Sequence, residues 1–330
     1  MAAEASGPMS PRRGGAGRSA VWGEAGSAPR PLRLSAAARA RERLVRALLL
    51  LCAGVSLLTT FGVVAVLAFE TAGFFADPAV TLREFFTSTR WTPLFADKSF
   101  GILPLLTGTF LVTAIALAVG VPLGLASAVY LSEFAPPARR RRVTSLLELL
   151  AGIPTVVLGY FALLFVTPAL QRVVPGLNLF NPLSAGLVMG FMVLPTVSSV
   201  STDAMQAVPT SLRQAAYGLG ATKVQLISRV VLPAALSGIV ASVVLATARA
   251  VGETMIVTLA AGQRPLFTLD PRETIATMTS FIVQAATGDQ PVGSLASRSL
   301  YAVAATLFAT TLLLNLASQY VVRRYRERYE

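Results

Sequence analysis

The sequence predicts an all-α integral membrane protein with six transmembrane helices, and three observations carry that reading. Of 330 residues, 54% are hydrophobic and only 13% are charged, about half the charged share of a typical soluble domain. The mean hydropathy is +0.65. Six apolar windows each supply the roughly 20 residues that a bilayer crossing needs. A soluble chain of this length would need a charged exterior, and long stretches here carry no charge, as expected of a surface that faces lipid.

The first window, Leu44–Phe69, has Arg46 at its edge. The second, Gly101–Ser132, is uncharged and longer than one span requires, so a membrane-surface segment before Pro104 or a strong tilt is expected. Leu149–Leu170 and Leu183–Thr202 are the third and fourth. The fifth, Ala234–Gly262, is interrupted by Arg249 and Glu253, and Ser299–Val322 is the sixth. Pro104, Pro122, Pro154 and Pro195 lie in or near these windows, where neighbouring helices can re-satisfy the freed carbonyls. Residues 1–43, rich in Ala, Gly, Pro, Ser and Arg, read as a disordered basic cytoplasmic tail. The six-helix domain spans 44–322, and 323–330 form a second basic cytoplasmic tail.

Orientation follows from Lys and Arg placement. With a cytoplasmic N-terminus, segments 1–46, 133–148, 203–233 and 323–330 fall inside and hold 20 of the 28 basic residues. Segments 70–100, 171–182 and 263–298 fall outside and hold seven, and Arg249 is the remaining one. The run Arg139–Arg142 is the strongest single topogenic signal. Both termini are expected in the cytoplasm, and Glu148 and Asp203 read as interface residues at cytoplasmic helix ends. In segment 70–100, Phe85, Phe86, Trp91, Phe95 and Phe100 suggest either a short helix on the outer membrane surface or packing against the bundle.

Several functions are excluded. The net charge of +12 does not indicate a nucleic-acid partner, because the arginines gather at the ends of apolar runs. Cys52 is the one cysteine and there is no histidine, which removes an internal disulfide, a cysteine metal site and the usual neutral-pH general base. No metal, cofactor or enzymatic site is expected. The chain contains no Gly-x-x-x-x-Gly-Lys-Ser/Thr phosphate-binding loop, so uphill transport would draw its energy from another polypeptide.

The loop 206–233 offers a place to attach one. It contains Gln214, Ala215, Ala216, Tyr217, Gly218, Leu219, Gly220, Ala221, Thr222 and Lys223, and continues through Val230, Val231, Leu232 and Pro233. Leu212, Ala216, Leu219 and Gly220 fall on one side of a short helix. Gly220 is placed to end it in the left-handed conformation. A second short helix, about Lys223 to Val231, leads to Pro233, which suits the first turn of the next helix. The product is a helix–turn–helix whose small residues Ala215, Ala216 and Gly220 let a cytoplasmic partner approach.

The spacing Gln-Ala-Ala, three residues, Gly, nine residues, Val, one residue, Leu-Pro resembles the EAA loop of ABC importer permeases, with Gln214 in place of the usual Glu and Val230 in place of Ile. Three further segments, Tyr130–Pro136, Leu146–Val157 and Ala248–Met255, resemble the PstC-type subunit of bacterial phosphate importers over about residues 44–322. The resemblance implies a type I ABC importer permease fold in the inner membrane. It also implies a second permease subunit, cytoplasmic ATP-binding subunits seated on Gln214, Ala215, Ala216, Gly220, Leu232 and Pro233, and an extracytoplasmic phosphate-binding protein. Its positions match Arg249 and Glu253 to charged residues of the transport path.

Arg249 is expected near mid-bilayer, where a charge costs at least about 2.5 kcal/mol. Glu253, four residues on, is expected on the same helix face, partly neutralising it. The planar fork of arginine suits an oxyanion, although an ion pair that only fixes helix register stays open. So do a permease for molybdate or sulfate, a secondary transporter, and a membrane scaffold without transport.

Overall fold

The computed structural model describes residues 36–291 and 293–324. Residues 1–35 of the expected N-terminal tail and 325–330 of the C-terminal tail lie outside the described residues. The chain divides into two compact units, one through Phe61 and one from Gly62 onward. In the first, the described residues form the opening of helix α1 (Ala36–Phe75), which starts eight residues before the expected Leu44. Every side chain from Ala40 to Phe61 is exposed.

The second unit holds the rest of α1 and a helical bundle. A short α2 (Leu82–Thr87) precedes α3 (Leu103–Val129), which runs on through a π turn at Tyr130–Phe134. Helix α3 begins one residue before Pro104, so that proline sits in its first turn. Helix α4 (Pro137–Ala151) follows, then α5 (Thr155–Phe161), a π turn at Ala162–Val166 and α6 (Thr167–Gln171). Helix α7 is Pro182–Gln206, α8 is Thr210–Gly218 and α9 is Lys223–Leu226. A third π turn (Ile227–Val231) and α10 (Leu232–Ala234) lead to α11 (Leu236–Val251), α12 (Met255–Ala260), α13 (Met278–Thr287) and α14 (Leu295–Arg324).

Four of these are long and apolar enough to cross a membrane: Ala40–Phe75, Leu103–Phe134, Pro182–Gln206 and Leu295–Tyr320. Counting each of two bent pairs as one span makes six, one turning by 88° between Ala151 and Thr155, the other by 68° between Ala234 and Leu236. The third expected window falls within the first bent pair, with Leu149–Ala151 in α4 and the rest beyond the break. The break falls at Gly152-Ile153-Pro154, because the residue before a proline disfavours helix. The fifth window is also interrupted: α11 stops at Val251 and α12 begins at Met255.

Helices α3 and α7 form the tightest pair. Lipid tails are as apolar as leucine, so close backbone packing and polar bridges, more than hydrophobic burial, drive association. Gly120 on α3 meets Gly190 on α7, while Gly124 on α3 faces Val197 and Gly186 on α7 faces Ile115. A Cβ at Gly120 would lie 2.7 Å from the Gly190 carbonyl oxygen, and one at Gly190 would lie 3.0 Å from that of Ala116. Buried hydroxyls bridge α7 to its other neighbours, Ser201 to Ser242 of α11 at 2.8 Å and Ser184 to Thr167 of α6 at 2.8 Å, each worth about 0.6 kcal/mol. The start of α7 is fixed by Pro182 in its first turn and by Asn181, whose side-chain oxygen accepts from the Ser184 N–H at 2.7 Å.

Of the two readings open for segment 70–100, packing governs its large aromatics. Phe85, Trp91 and Phe100 are buried in one cluster with Phe74 and Phe281, in edge-to-face contacts with centroids 5.1–6.4 Å apart. Phe86 and Phe95 stay exposed.

Candidate functional site

Two regions hold the residues singled out by the sequence. The first is the hairpin of α8 and α9. Helix α8 ends in a Schellman motif: Gly220 takes φ +80°, its N–H donates to the Tyr217 carbonyl at 2.9 Å, and the Ala221 N–H donates to that of Ala216 at 3.0 Å. Helix α9 then starts with a capping box in which the Thr222 N–H donates to Gln225 Oε1 at 2.8 Å and the Gln225 N–H donates back to Thr222 Oγ1 at 3.4 Å. These local interactions define a tight turn between two short helices.

The faces of the hairpin differ from expectation at two positions. Ala216 is not presented outward; it is buried with Ala128, Met205, Leu226 and Val231 at the hairpin's base. Leu219 does not share its side, because α8 stops at Gly218 and the helical period ends there. Leu219 instead stands 90% exposed at the tip, with Tyr217 and Val224 exposed beside it. Gln214, Ala215, Gly220 and Pro233 are exposed and Leu232 is half-buried. Pro233 lies in the first turn of α10 rather than α11.

The second region is the interruption between α11 and α12. Arg249, in the last turn of α11, is exposed, and its Nη1 donates to Thr196 Oγ1 on α7 at 3.1 Å. Glu253 forms no pair with it. The helix has ended by that point, so the four-residue spacing no longer aligns the two side chains. Glu253 instead caps α12, its Oε1 accepting from the N–H groups of Met255 at 3.0 Å and Ile256 at 3.3 Å. Its carbonyl accepts from Thr279 Oγ1 at 2.8 Å. The two charges thus serve separate ends of a broken helix.

Thr196 also lines an open cavity of about 300 Å³ between α4 and α7, with Arg140, Glu148, Ser199 and Asp203. Sequence reading set Glu148 and Asp203 apart as interface residues; the structure brings them to one wall system beside the Arg249 partner. Thr196, Ser199 and Asp203 were legible as a pattern, since their spacings of three and four place them on one face of α7.

Comparison with known proteins agrees with this architecture. The family model described as "binding-protein-dependent transport system inner membrane component" matches residues 120–327. A probable ABC transporter permease protein of Bacillus subtilis, YqgH, is 33% identical over 278 residues, covering 84% of this chain and 88% of the relative. The phosphate transport system permease protein PstC of Mesorhizobium japonicum is 34% identical over 259 residues, 73% of this chain and 78% of the relative. PstC 1 of Mycobacterium tuberculosis is 32% identical over 277 residues, 73% and 81%. Among solved structures, a bacterial ABC transporter involved in alginate import superposes with a TM-score of 0.60 at 18% identity, covering 87% of this chain and 97% of that one. The MetNI methionine transporter gives 0.52 at 19%, covering 69% and 95%. At such identities the structural likeness speaks for the fold alone.

Proposed function

Because the chain belongs to the binding-protein-dependent transport system inner membrane components, we propose that it is the permease subunit of an ATP-driven importer of inorganic phosphate. The observation that carries the phosphate assignment is the run of PstC relatives at 30–35% identity, which span 59–74% of this chain. The local chemistry is compatible with an oxyanion: the bond to Thr196 uses one of the five guanidinium donors of Arg249, and the exposed remainder is free to meet a solute.

In this reading the chain pairs with a second, similar permease, and the solute passes between them. An extracytoplasmic phosphate-binding protein delivers the anion to the face opposite the α8–α9 hairpin. Cytoplasmic ATP-binding subunits seat on that hairpin, and Leu219, Tyr217 and Val224 form the apolar tip that enters their surface. Both termini lie in the cytoplasm, in line with the basic-residue bias. Closure of the ATPases pulls the hairpins and switches access across the bundle.

The test is purification of the tagged chain from membranes, followed by uptake in proteoliposomes. An ATP-binding protein should copurify, and labelled phosphate uptake should require ATP and resist excess sulfate and molybdate. Uptake driven by an ion gradient without nucleotide would refute the importer. Equal competition by molybdate would refute the phosphate assignment.

A further inference from the structure

The hairpin is fastened to the bundle at one unusual point. Glu133 lies inside the π turn Tyr130–Phe134 that ends α3, and its carboxylate receives Arg213 Nη1 of α8 at 2.8 and 2.9 Å on its two oxygens. Arg213 Nη2 also donates to the Met205 carbonyl at the end of α7, at 2.7 Å. The pair is sequestered, with side-chain exposure of 21% for Arg213 and 5% for Glu133. The next residue of the turn, Phe134, carries the Lys223 ammonium 4.5 Å above its ring, a cation–π contact from α9. Both arms of the hairpin therefore grip adjacent residues of one π turn, while Arg213 also holds the end of α7. Helices α3 and α7 are in turn locked by glycines on each that admit the other's backbone and branched side chains. π turns are rare and recur where helices serve function; here the turn delivers two consecutive side chains to two different arms.

Resting on the importer reading above, we propose that Glu133 and Arg213 are positioning residues that make the hairpin and the α3–α7 pair one mechanical body, so that a displacement of the hairpin tip reaches the glycine-packed centre of the bundle. Phe134 and Lys223 are the auxiliary tether. Loss of the joint separates ATP hydrolysis from solute movement instead of merely lowering stability.

The experiment uses the whole transporter, purified with its ATP-binding partner and reconstituted, with phosphate uptake and ATP hydrolysis measured on the same vesicles. Glu133→Gln keeps the size and one acceptor oxygen but removes the charge. It should lower phosphate moved per ATP hydrolysed at least fivefold while hydrolysis changes less than twofold. Phe134→Leu together with Lys223→Gln touches exposed positions and should lower the same ratio about twofold with assembly intact, which decides the matter if Glu133→Gln does not assemble. An unchanged ratio in the variants that assemble, with uptake and hydrolysis equal or falling in parallel, overturns the joint and leaves the importer standing. A wild-type chain that brings out no ATP-binding partner would instead contradict the importer itself.

Discussion

The Arg249 guanidinium on α11 and the Thr196 hydroxyl on α7 are joined at 3.1 Å, so the one arginine of the fifth apolar window is tethered across the bundle rather than paired with the carboxylate four residues on. The hydroxyl orients the charge without neutralising it. Thr196→Val, which keeps the shape and removes the acceptor, should raise the KM for phosphate severalfold with assembly unchanged. Arg249→Gln should abolish uptake. Uptake kinetics in a strain lacking its own phosphate importer measure both; wild-type kinetics for Arg249→Gln would make the residue structural.

Glu253 behaves as a cap, and its variants should divide accordingly. Glu253→Ala leaves two N–H groups of α12 without their acceptor and should cost about 1 kcal/mol, read as a lowered Tm of the purified protein. Glu253→Gln retains an acceptor oxygen and should lose less than half of that. Equal losses would show that the charge, not the cap, is what the site requires.

The glycines of the bundle are not equivalent. At Gly120 even a Cβ would press on the Gly190 carbonyl at 2.7 Å and on Val193 at 2.6 Å, so Gly120→Leu should destabilise by at least the about 1–3 kcal/mol typical of overpacking and reduce the folded yield. Gly218 has nothing within 4 Å of its would-be Cβ and ends a helix, so Gly218→Ala should be neutral or slightly stabilising. Thermal unfolding in detergent compares the two; similar Tm values would contradict the packing account.

Gly220, also open on all sides, is constrained by its backbone instead: φ +80° penalises any Cβ. Gly220→Ala should cost about 1 kcal/mol and loosen the hairpin, visible as faster amide exchange over 215–226 while the bundle remains protected. Unchanged exchange would mean that the turn does not depend on its glycine.

These residues mark what the sequence could reveal. The uncharged runs that became α3 and α7 were plain, because lipid and a packed interior both demand apolar side chains. Gly220 as a helix end was plain too, since few residues adopt its conformation. The broken fifth window was harder: Gly252 and Glu253 interrupt an apolar run, yet an unbroken helix with an internal ion pair satisfies the same letters. The outward turn of Leu219 was hidden for a related reason, as periodicity predicts a face only while the helix lasts, and α8 stops one residue earlier. The Glu133–Arg213 joint spans 80 positions and rests on a π turn, and no local pattern announces a contact of that range. The glycine spacings at 120/124 and 186/190 were open to reading, but which helix each faced was set only by the tertiary packing.

The most direct test of the account is Leu219→Asp. At 90% exposure the substitution should leave the folded bundle and its Tm unchanged. It places a charge in an apolar contact, so the ATP-binding partner should no longer copurify and ATP-dependent phosphate uptake should fall to background. A variant that still binds the ATPase and transports at the wild-type rate would contradict the claim that this hairpin joins the bundle to its motor.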